Sequence, residues 1–150
     1  IRSATPDIVI YSGVGGQIVS GRTLALGPKF LHIHSGWLPE YRGSTTLYYA
    51  LLEGKSPGVS AIILDCDIDT GSIVARRHYP RPPARMNLDL VYDAAIRADL
   101  LVRVLTNYKA TGELPVIDYR SSRGGTPYYV IHPILKHLSI LSVKRISENE

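Results

Sequence analysis

Two histidines in the run FLHIHSGWLPEYRG, residues 30–43, are the side chains of this sequence best placed to do chemistry. The apolar alternation around them predicts a β-strand, in which His32 and His34 lie on the same face because side chains repeat every second residue. Pro39 donates no ladder hydrogen bond, so the strand ends before it. Imidazole can donate or accept a proton or bind a metal. A single histidine here would more often be structural, but the pair predicts a catalytic loop at a strand end.

A second candidate is the acidic end of the run SAIILDCDID, residues 60–69. The run begins as an apolar strand, and Thr70-Gly71 then turns the chain into another strand-like segment, residues 72–79. In an extended chain Asp65, Asp67 and Asp69 share one face. Judged by residue type alone, three solvated carboxylates beside a turn are an equally good interpretation.

Two histidines on one strand and a carboxylate on a neighbouring strand are also acceptable ligands for zinc or another divalent ion. A metal-dependent hydrolase that uses His32, His34 and Asp69 therefore remains open. A protein of this type would contain bound metal and would lose activity with a chelator.

The elements that must position these residues alternate between strands and helices. Residues 7–12 predict a buried strand that ends in a glycine-rich turn, and residues 20–26 predict a short helix with Ser20 as its N-cap. A long helix is predicted from Asn87 to about Lys109, and we expect it to be scaffolding. Its predicted core face is Leu88, Val91, Ala95, Ala98, Val102 and Leu105, which leaves Asp93, Arg97 and Arg103 for solvent.

Composition limits the classes of protein that are compatible with the chain. Its 150 residues are enough for one domain with a real core, and 45% of them are hydrophobic. No apolar run approaches the roughly 20 residues that cross a bilayer. The net charge of +4 favours an anionic partner but is modest for a nucleic-acid binder. The single cysteine, Cys66, excludes an internal disulfide and is compatible with a cytoplasmic protein.

The run from His34 to Gly43 resembles the signature of the folate-dependent formyltransferases, the family that contains methionyl-tRNA, glycinamide ribonucleotide and sugar N-formyltransferases. His34 matches the family histidine, and the loop matches at Leu38, Pro39, Tyr41, Arg42 and Gly43. Asp69-Thr70-Gly71 matches the context of the family's catalytic aspartate. The resemblance implies an α/β fold with a Rossmann-like mixed, mostly parallel sheet flanked by helices. It spans residues 6–133, and we expect one formyltransferase-like domain over residues 1–150 that lacks the family's usual N-terminal part.

The resemblance also implies a role for individual residues. The catalytic residues are His34, Asp69 and His32, where His32 replaces a family asparagine and is expected to supply one N–H donor in place of the amide. The donor 10-formyltetrahydrofolate is expected to contact Gly15, Gly16, Gln17, Ile18, Leu64, Asp65 and Asp67. Residues expected to bind the acceptor are Arg42, Gly43 and Tyr128, and the family chemistry requires no metal.

The acceptor implied by the resemblance is a small-molecule primary amine, and the positive charge of the chain suggests that it is anionic. Tyr128 and Tyr129 resemble a pair found in sugar-type and tRNA-type family members, which leads us to expect a nucleotide-linked amino sugar. Water as acceptor, in a formyltetrahydrofolate hydrolase, and an inactive folate-binding relative remain alternatives. We expect no membrane or nucleic-acid partner, and a homo-oligomer remains open.

Overall fold

The computed structural model describes residues 6–13, 18–117 and 125–147. Its main sheet has the strand order β1-β2-β4-β5, and the strands are β1 Ile8–Tyr11, β2 Lys29–His34, β4 Gly58–Ile63 and β5 Ser72–His78. A second sheet pairs β3 Tyr41–Gly43 with β6 Thr126–Tyr128. Both sheets contribute to the region around the end of β2.

The predicted α/β fold with a mixed sheet is confirmed, although parallel pairs are fewer than expected. Among the described strands of the main sheet, β1 and β2 are parallel, whereas β4 is antiparallel to both β2 and β5. The antiparallel β4–β5 pair follows from the tight turn predicted at Thr70-Gly71, because a short connection can join only antiparallel neighbours. The small β3–β6 sheet is parallel.

The described residues form four α-helices: α1 Gly21–Leu24, α2 Thr46–Leu52, α3 Asp93–Thr111 and α4 Pro133–Ser147. Ser20 caps α1 as predicted, with its Oγ accepting from the Thr23 amide at 3.2 Å. A π-helical turn, Leu88–Tyr92, leads into α3, and Asn87 accepts from the Leu90 amide at 2.9 Å. Within the described residues, no helix combines the length and apolar character needed to cross a membrane.

The face that the long helix turns to the core differs from the prediction. The buried residues are Leu88, Tyr92, Ile96, Leu100 and Val104, whereas Val91 and Val102 are exposed. The two alternative faces both repeat at helical spacing, so periodicity alone does not choose between them. The buried series contains larger side chains than Ala95 and Ala98 and therefore removes more apolar surface from water.

The main core lies between one face of the sheet and helices α2, α3 and α4. Leu31 and Ile33 of β2 belong to it together with Val59 and Ala61 of β4. His32 and His34 alternate with these core residues and so lie on the opposite face of β2. On that face the register pairs His32 with Ile62, which is packed in a second apolar cluster with Leu38 and Ile73. The two histidines thus lie on the face of β2 that also carries this second apolar cluster.

Candidate active site

His34 is fixed at the end of β2 by a backbone contact. Its side chain is buried, and its Nε2 lies 2.7 Å from the carbonyl oxygen of Tyr41. Because a carbonyl only accepts, Nε2 carries the proton of this hydrogen bond. A Cβ at Gly36 would lie 2.5 Å from His34 Nε2 and 2.4 Å from the Tyr41 oxygen, so only glycine fits there without a shift. The loop after β2 therefore closes tightly around the ring.

Asp69 approaches the other nitrogen of the same imidazole. Its Oδ2 lies 3.4 Å from His34 Nδ1, and only 6% and 12% of the His34 and Asp69 side chains are exposed. The same Oδ2 accepts from the Gly43 amide at 2.8 Å. Both nitrogens of His34 thus face oxygen atoms. The carboxylate of Asp69 lies at ion-pair distance and can balance a positive charge on the ring.

The turn that presents Asp69 is held by side-chain hydrogen bonds. Strand β4 ends at Ile63, so the prediction that the acidic residues share one face of an extended strand is wrong. Asp65 Oδ1 accepts from the Thr70 hydroxyl at 2.7 Å and from the Asp67 amide at 3.1 Å, as short acidic side chains do in turns. Arg42 donates from Nη2 to the Ile68 carbonyl at 3.0 Å.

His32 stands in a different environment from His34. It is half-buried, and its Nδ1 lies 3.1 Å from the carbonyl oxygen of Tyr11. Burial lowers its pKa, and the charges of His34 and Arg97 act in the same direction, against the opposing effects of the Tyr11 carbonyl and Asp69. His32 is therefore neutral at neutral pH, with its only N–H directed at Tyr11 and the lone pair on Nε2.

The structure brings together the three residues that the sequence predicts as catalytic. One ring nitrogen each of His32 and His34 and one oxygen of Asp69 lie within 4.8 Å of one another. Strand periodicity explains the first two. The third comes from a residue 35 positions further along the chain than His34, delivered by the β4–β5 turn.

The residues expected to contact the folate donor are not gathered in one place among the described residues. Gly15, Gly16 and Gln17 lie outside the described residues, and Ile18 is 63% exposed. Leu64 packs against the second apolar cluster, and Asp67 is exposed.

The residues expected on the acceptor side have structural contacts of their own. Gly43 has a φ of +92° and pairs with Tyr128 across the small sheet. A Cβ at Gly43 would lie 2.1 Å from the Tyr128 carbonyl oxygen. The Tyr128 ring stacks on Tyr41 with centroids 5.5 Å apart, and its hydroxyl donates to Glu53 at 3.3 Å. These contacts connect the two short strands that frame the loop after β2.

A network from the long helix also reaches this region, and the sequence analysis missed it. The Ser35 hydroxyl donates to Asp93, and the Thr46 hydroxyl donates to the Ser35 carbonyl. Arg97 pairs with Asp93 at 2.8 Å. The four-residue spacing of Asp93 and Arg97 was a usable signal for their ion pair, because such residues are neighbours on a helix. Nothing in the sequence indicated that Ser35 would join them.

A cavity of about 330 Å³ borders the loop after β2. Its lining includes Gly36, Trp37, Tyr41, Thr46 and His78 but neither His34 nor Asp69. The His34–Asp69 contact therefore does not form part of the wall of this cavity.

Comparison with known proteins shows which family the chain resembles in sequence and fold. The model of the family described as Formyl transferase matches residues 1–90. Two methionyl-tRNA formyltransferases are similar in sequence. The protein of Roseiflexus castenholzii is 34% identical over 112 residues, which are 73% of this chain and 35% of that protein. The protein of Chloroflexus aurantiacus is 38% identical over 117 residues, which are 76% and 37% of the two chains.

A solved structure supports the fold. The formyltransferase PseJ from Anoxybacillus kamchatkensis, solved in complex with UDP-4,6-dideoxy-4-formamido-L-AltNAc and tetrahydrofolate, superposes with a TM-score of 0.61 at 19% identity. The match covers 83% of this chain and 65% of PseJ. This chain spans about a third of the length of the curated relatives it matches. By the family match over residues 1–90 and the shared fold, the chain belongs to the formyl transferase family.

Proposed function

We propose that this chain transfers a formyl group from 10-formyltetrahydrofolate to a small primary amine, with His34 and Asp69 as its reactive residues. The observation that carries the proposal is the contact between His34 Nδ1, at the end of β2, and Asp69 Oδ2, in the connection between β4 and β5. The two atoms are 3.4 Å apart. Family membership supports the reaction type. The tetrahydrofolate in the PseJ complex supports a folate as the formyl carrier.

The reaction sets three tasks for these residues. The amine nitrogen attacks the formyl carbon, the carbon–N10 bond breaks, N10 gains a proton and the amine loses one. Negative charge develops on the formyl oxygen, where a preorganised donor is worth about 3 kcal/mol. Doubly protonated His34 is suited to that role because Asp69 compensates its charge.

The orientation of His34 adds a requirement to this mechanism. Its Nε2–H donates to the Tyr41 carbonyl in the structure. For His34 to stabilise the developing oxyanion, this N–H must exchange the Tyr41 carbonyl for the formyl oxygen. Asp69 Oδ2 already accepts from Gly43, so we assign Oδ1 to the proton that leaves the amine, directly or through one water.

In this proposal His32 is not the donor in place of the family asparagine. Its Nδ1–H is directed at the Tyr11 carbonyl, and the neutral ring has no second N–H. In this proposal His32 therefore lines the site as an acceptor. Replacing it with asparagine adds a donor without adding charge, so we expect His32→Asn to preserve or raise the rate of formyl transfer.

The acceptor in this proposal is an anionic amine such as a nucleotide-linked amino sugar. PseJ was solved with a formamido sugar nucleotide, whereas the two relatives described above are methionyl-tRNA formyltransferases. Arg42, Gly43 and Tyr128 frame the acceptor side, and each also has a structural contact described above. The proposal assigns the folate to the expected contact residues that the structure describes, which are Ile18, Leu64, Asp65 and Asp67.

The proposal is tested by isothermal titration of the protein with a stable analogue of 10-formyltetrahydrofolate. We expect saturable one-to-one binding that His34→Asn and Asp69→Asn weaken, since both change the polar wall of the site. Glu113→Gln, an exposed carboxylate beyond α3, is the matched control and should bind like the wild type. A folded wild-type protein that shows no folate binding would rule the proposal out. Release of formate without transfer to any amine would indicate a formyltetrahydrofolate hydrolase.

A further inference from the structure

The two histidines of the site share a hydrogen-bonding pattern. Each places one ring nitrogen on a backbone carbonyl: His32 Nδ1 on Tyr11 at 3.1 Å and His34 Nε2 on Tyr41 at 2.7 Å. Each carbonyl fixes a proton on the nitrogen that it contacts. The nitrogens left as lone-pair donors in the neutral rings are Nε2 of His32 and Nδ1 of His34. Histidines that bind metals usually donate their other N–H in this way.

The carboxylate of Asp69 completes a set of three ligands. Two ligands about 2.0–2.1 Å from a tetrahedral zinc ion are about 3.4 Å apart, and His34 Nδ1 and Asp69 Oδ2 are separated by 3.4 Å. One ring nitrogen of His32 lies within 4.8 Å of one ring nitrogen of His34 and one carboxylate oxygen of Asp69. A shift of about 1–1.5 Å in this half-buried side chain would bring it to ligand distance, given the same geometry.

The charges around the site are compatible with a bound cation. Among the described residues, Asp69 forms an ion pair with His34 and with no lysine or arginine. Arg97 is the cation whose charge reaches His32, and it is paired with Asp93 at 2.8 Å. The negative charge of Asp69 is therefore available to a metal ion.

We propose that His32, His34 and Asp69 form a binding site for a divalent transition-metal cation of the zinc type. Two imidazoles and one carboxylate favour zinc, cobalt or nickel over magnesium or calcium, which prefer oxygen ligands. Three protein ligands leave at least one coordination position for water. The site depends on His32, which occupies the position where the signature of the formyltransferases has asparagine.

Metal binding has a consequence for formyl transfer, and this consequence alone rests on the proposed function. A bound ion occupies His34 Nδ1 and the Asp69 carboxylate, so it removes the counter-charge and the proton acceptor of the reaction. Zinc therefore inhibits transfer by the wild-type protein, and a chelator restores the rate. His32→Asn makes transfer resistant to zinc.

The binding itself is measured without folate, by titrating zinc chloride into chelator-treated protein in a calorimeter. We expect one zinc per chain, and no comparable signal with magnesium. His32→Asn should weaken zinc binding at least about 10-fold, since even loss of a group that only orients a ligand costs 10–100-fold. His78→Asn is the control, because this exposed histidine stacks on Trp37 with centroids 3.9 Å apart and lies outside the triad.

A second measurement uses only the wild-type protein. Zinc should shift the imidazole NMR resonances of His32 and His34 but not those of His78. Equal zinc affinity of folded wild-type and His32→Asn proteins, or unshifted resonances at His32 and His34, would overturn the inference. Zinc binding that depends on His32, in a protein that binds no folate, would support the metal site while removing the proposed formyl transfer.

Discussion

The end of β2 with the loop that follows it, residues 34–43, and the turn after β4, residues 64–71, position the two members of the His34–Asp69 pair by different means. His34 belongs to a strand, is buried, and is enclosed by a loop so close that Gly36 has no room for a Cβ. Asp69 lies outside regular structure with a φ of 52° and depends on hydrogen bonds made to its turn. Packing thus positions the imidazole, whereas polar contacts position the carboxylate.

This difference predicts that a substitution in the loop lowers turnover and stability sharply, whereas a substitution in the turn lowers them by smaller steps. Interiors pack at crystal-like density and absorb added atoms poorly. A hydrogen bond at a turn can be weakened with limited loss of structure, at a net cost of about 0.5–1.5 kcal/mol.

Among substitutions that leave His34 and Asp69 themselves unchanged, the largest effect is expected from Gly36→Ala. The new methyl group meets His34 Nε2 and the Tyr41 carbonyl oxygen at 2.5 and 2.4 Å, so the ring and the loop must separate. We expect the turnover number for formyl transfer to fall about 100-fold, as misplacement of a catalytic group by 1 Å can cause. The free energy of unfolding should fall by about 1–3 kcal/mol.

Steady-state kinetics and urea unfolding measure the two quantities. Gly21→Ala is the control, because a Cβ at this exposed position meets nothing within 4 Å. Wild-type turnover in Gly36→Ala would contradict the claim that packing of the loop positions His34.

An intermediate effect is expected from Arg42→Ala. This change removes the donors to the Ile68 carbonyl, at 3.0 and 3.3 Å, and loosens the turn next to Asp69. We expect turnover to fall about 10-fold, which corresponds to about 1.4 kcal/mol of transition-state stabilisation.

The kinetic constants distinguish two roles of Arg42. A fall in kcat with little change in KM indicates that Arg42 acts by positioning Asp69. A higher KM for the acceptor with unchanged kcat would instead show direct substrate binding. Arg22→Ala, at an exposed position of α1, serves as the control for loss of a positive charge.

The smallest effect is expected from Thr70→Val. It removes the hydroxyl that donates to Asp65 at 2.7 Å across the turn. We expect a loss of about 1 kcal/mol in the free energy of unfolding, measured in urea, and a fall in turnover of less than about threefold. Thr70→Ser keeps the hydroxyl and should retain more of the stability. A 100-fold loss of turnover in Thr70→Val would show that the turn is as intolerant as the loop.

The same contrast explains what the sequence could predict. Strand periodicity placed His32 and His34 on one face, because the period of two in a strand leaves no alternative once the strand is recognised. It could not choose the buried face of the long helix, where two series at helical spacing compete. The series with Tyr92 and Ile96 buries more apolar surface than the one with Ala95 and Ala98.

The partners of the site residues were less predictable. The meeting of His34 and Asp69 was expected from the family resemblance and from the metal-site alternative, since no local pattern joins residues so far apart in the chain. The carbonyls of Tyr11 and Tyr41 hold the two imidazoles, and almost every residue carries a carbonyl that could do so. The contact of Ser35 with Asp93 depends on where α3 packs, which in turn depends on the helix face that periodicity left open.

The most direct test of the His34–Asp69 pair is a double-mutant cycle on the rate of formyl transfer from 10-formyltetrahydrofolate, with Glu113→Gln as the control. His34→Asn and Asp69→Asn should each lower kcat at least about 100-fold, and the double variant should be little worse than either, because residues that act as a unit lose their effect together. Near-normal rates in both single variants, or fully additive losses in the double variant, would contradict a shared role for the two side chains.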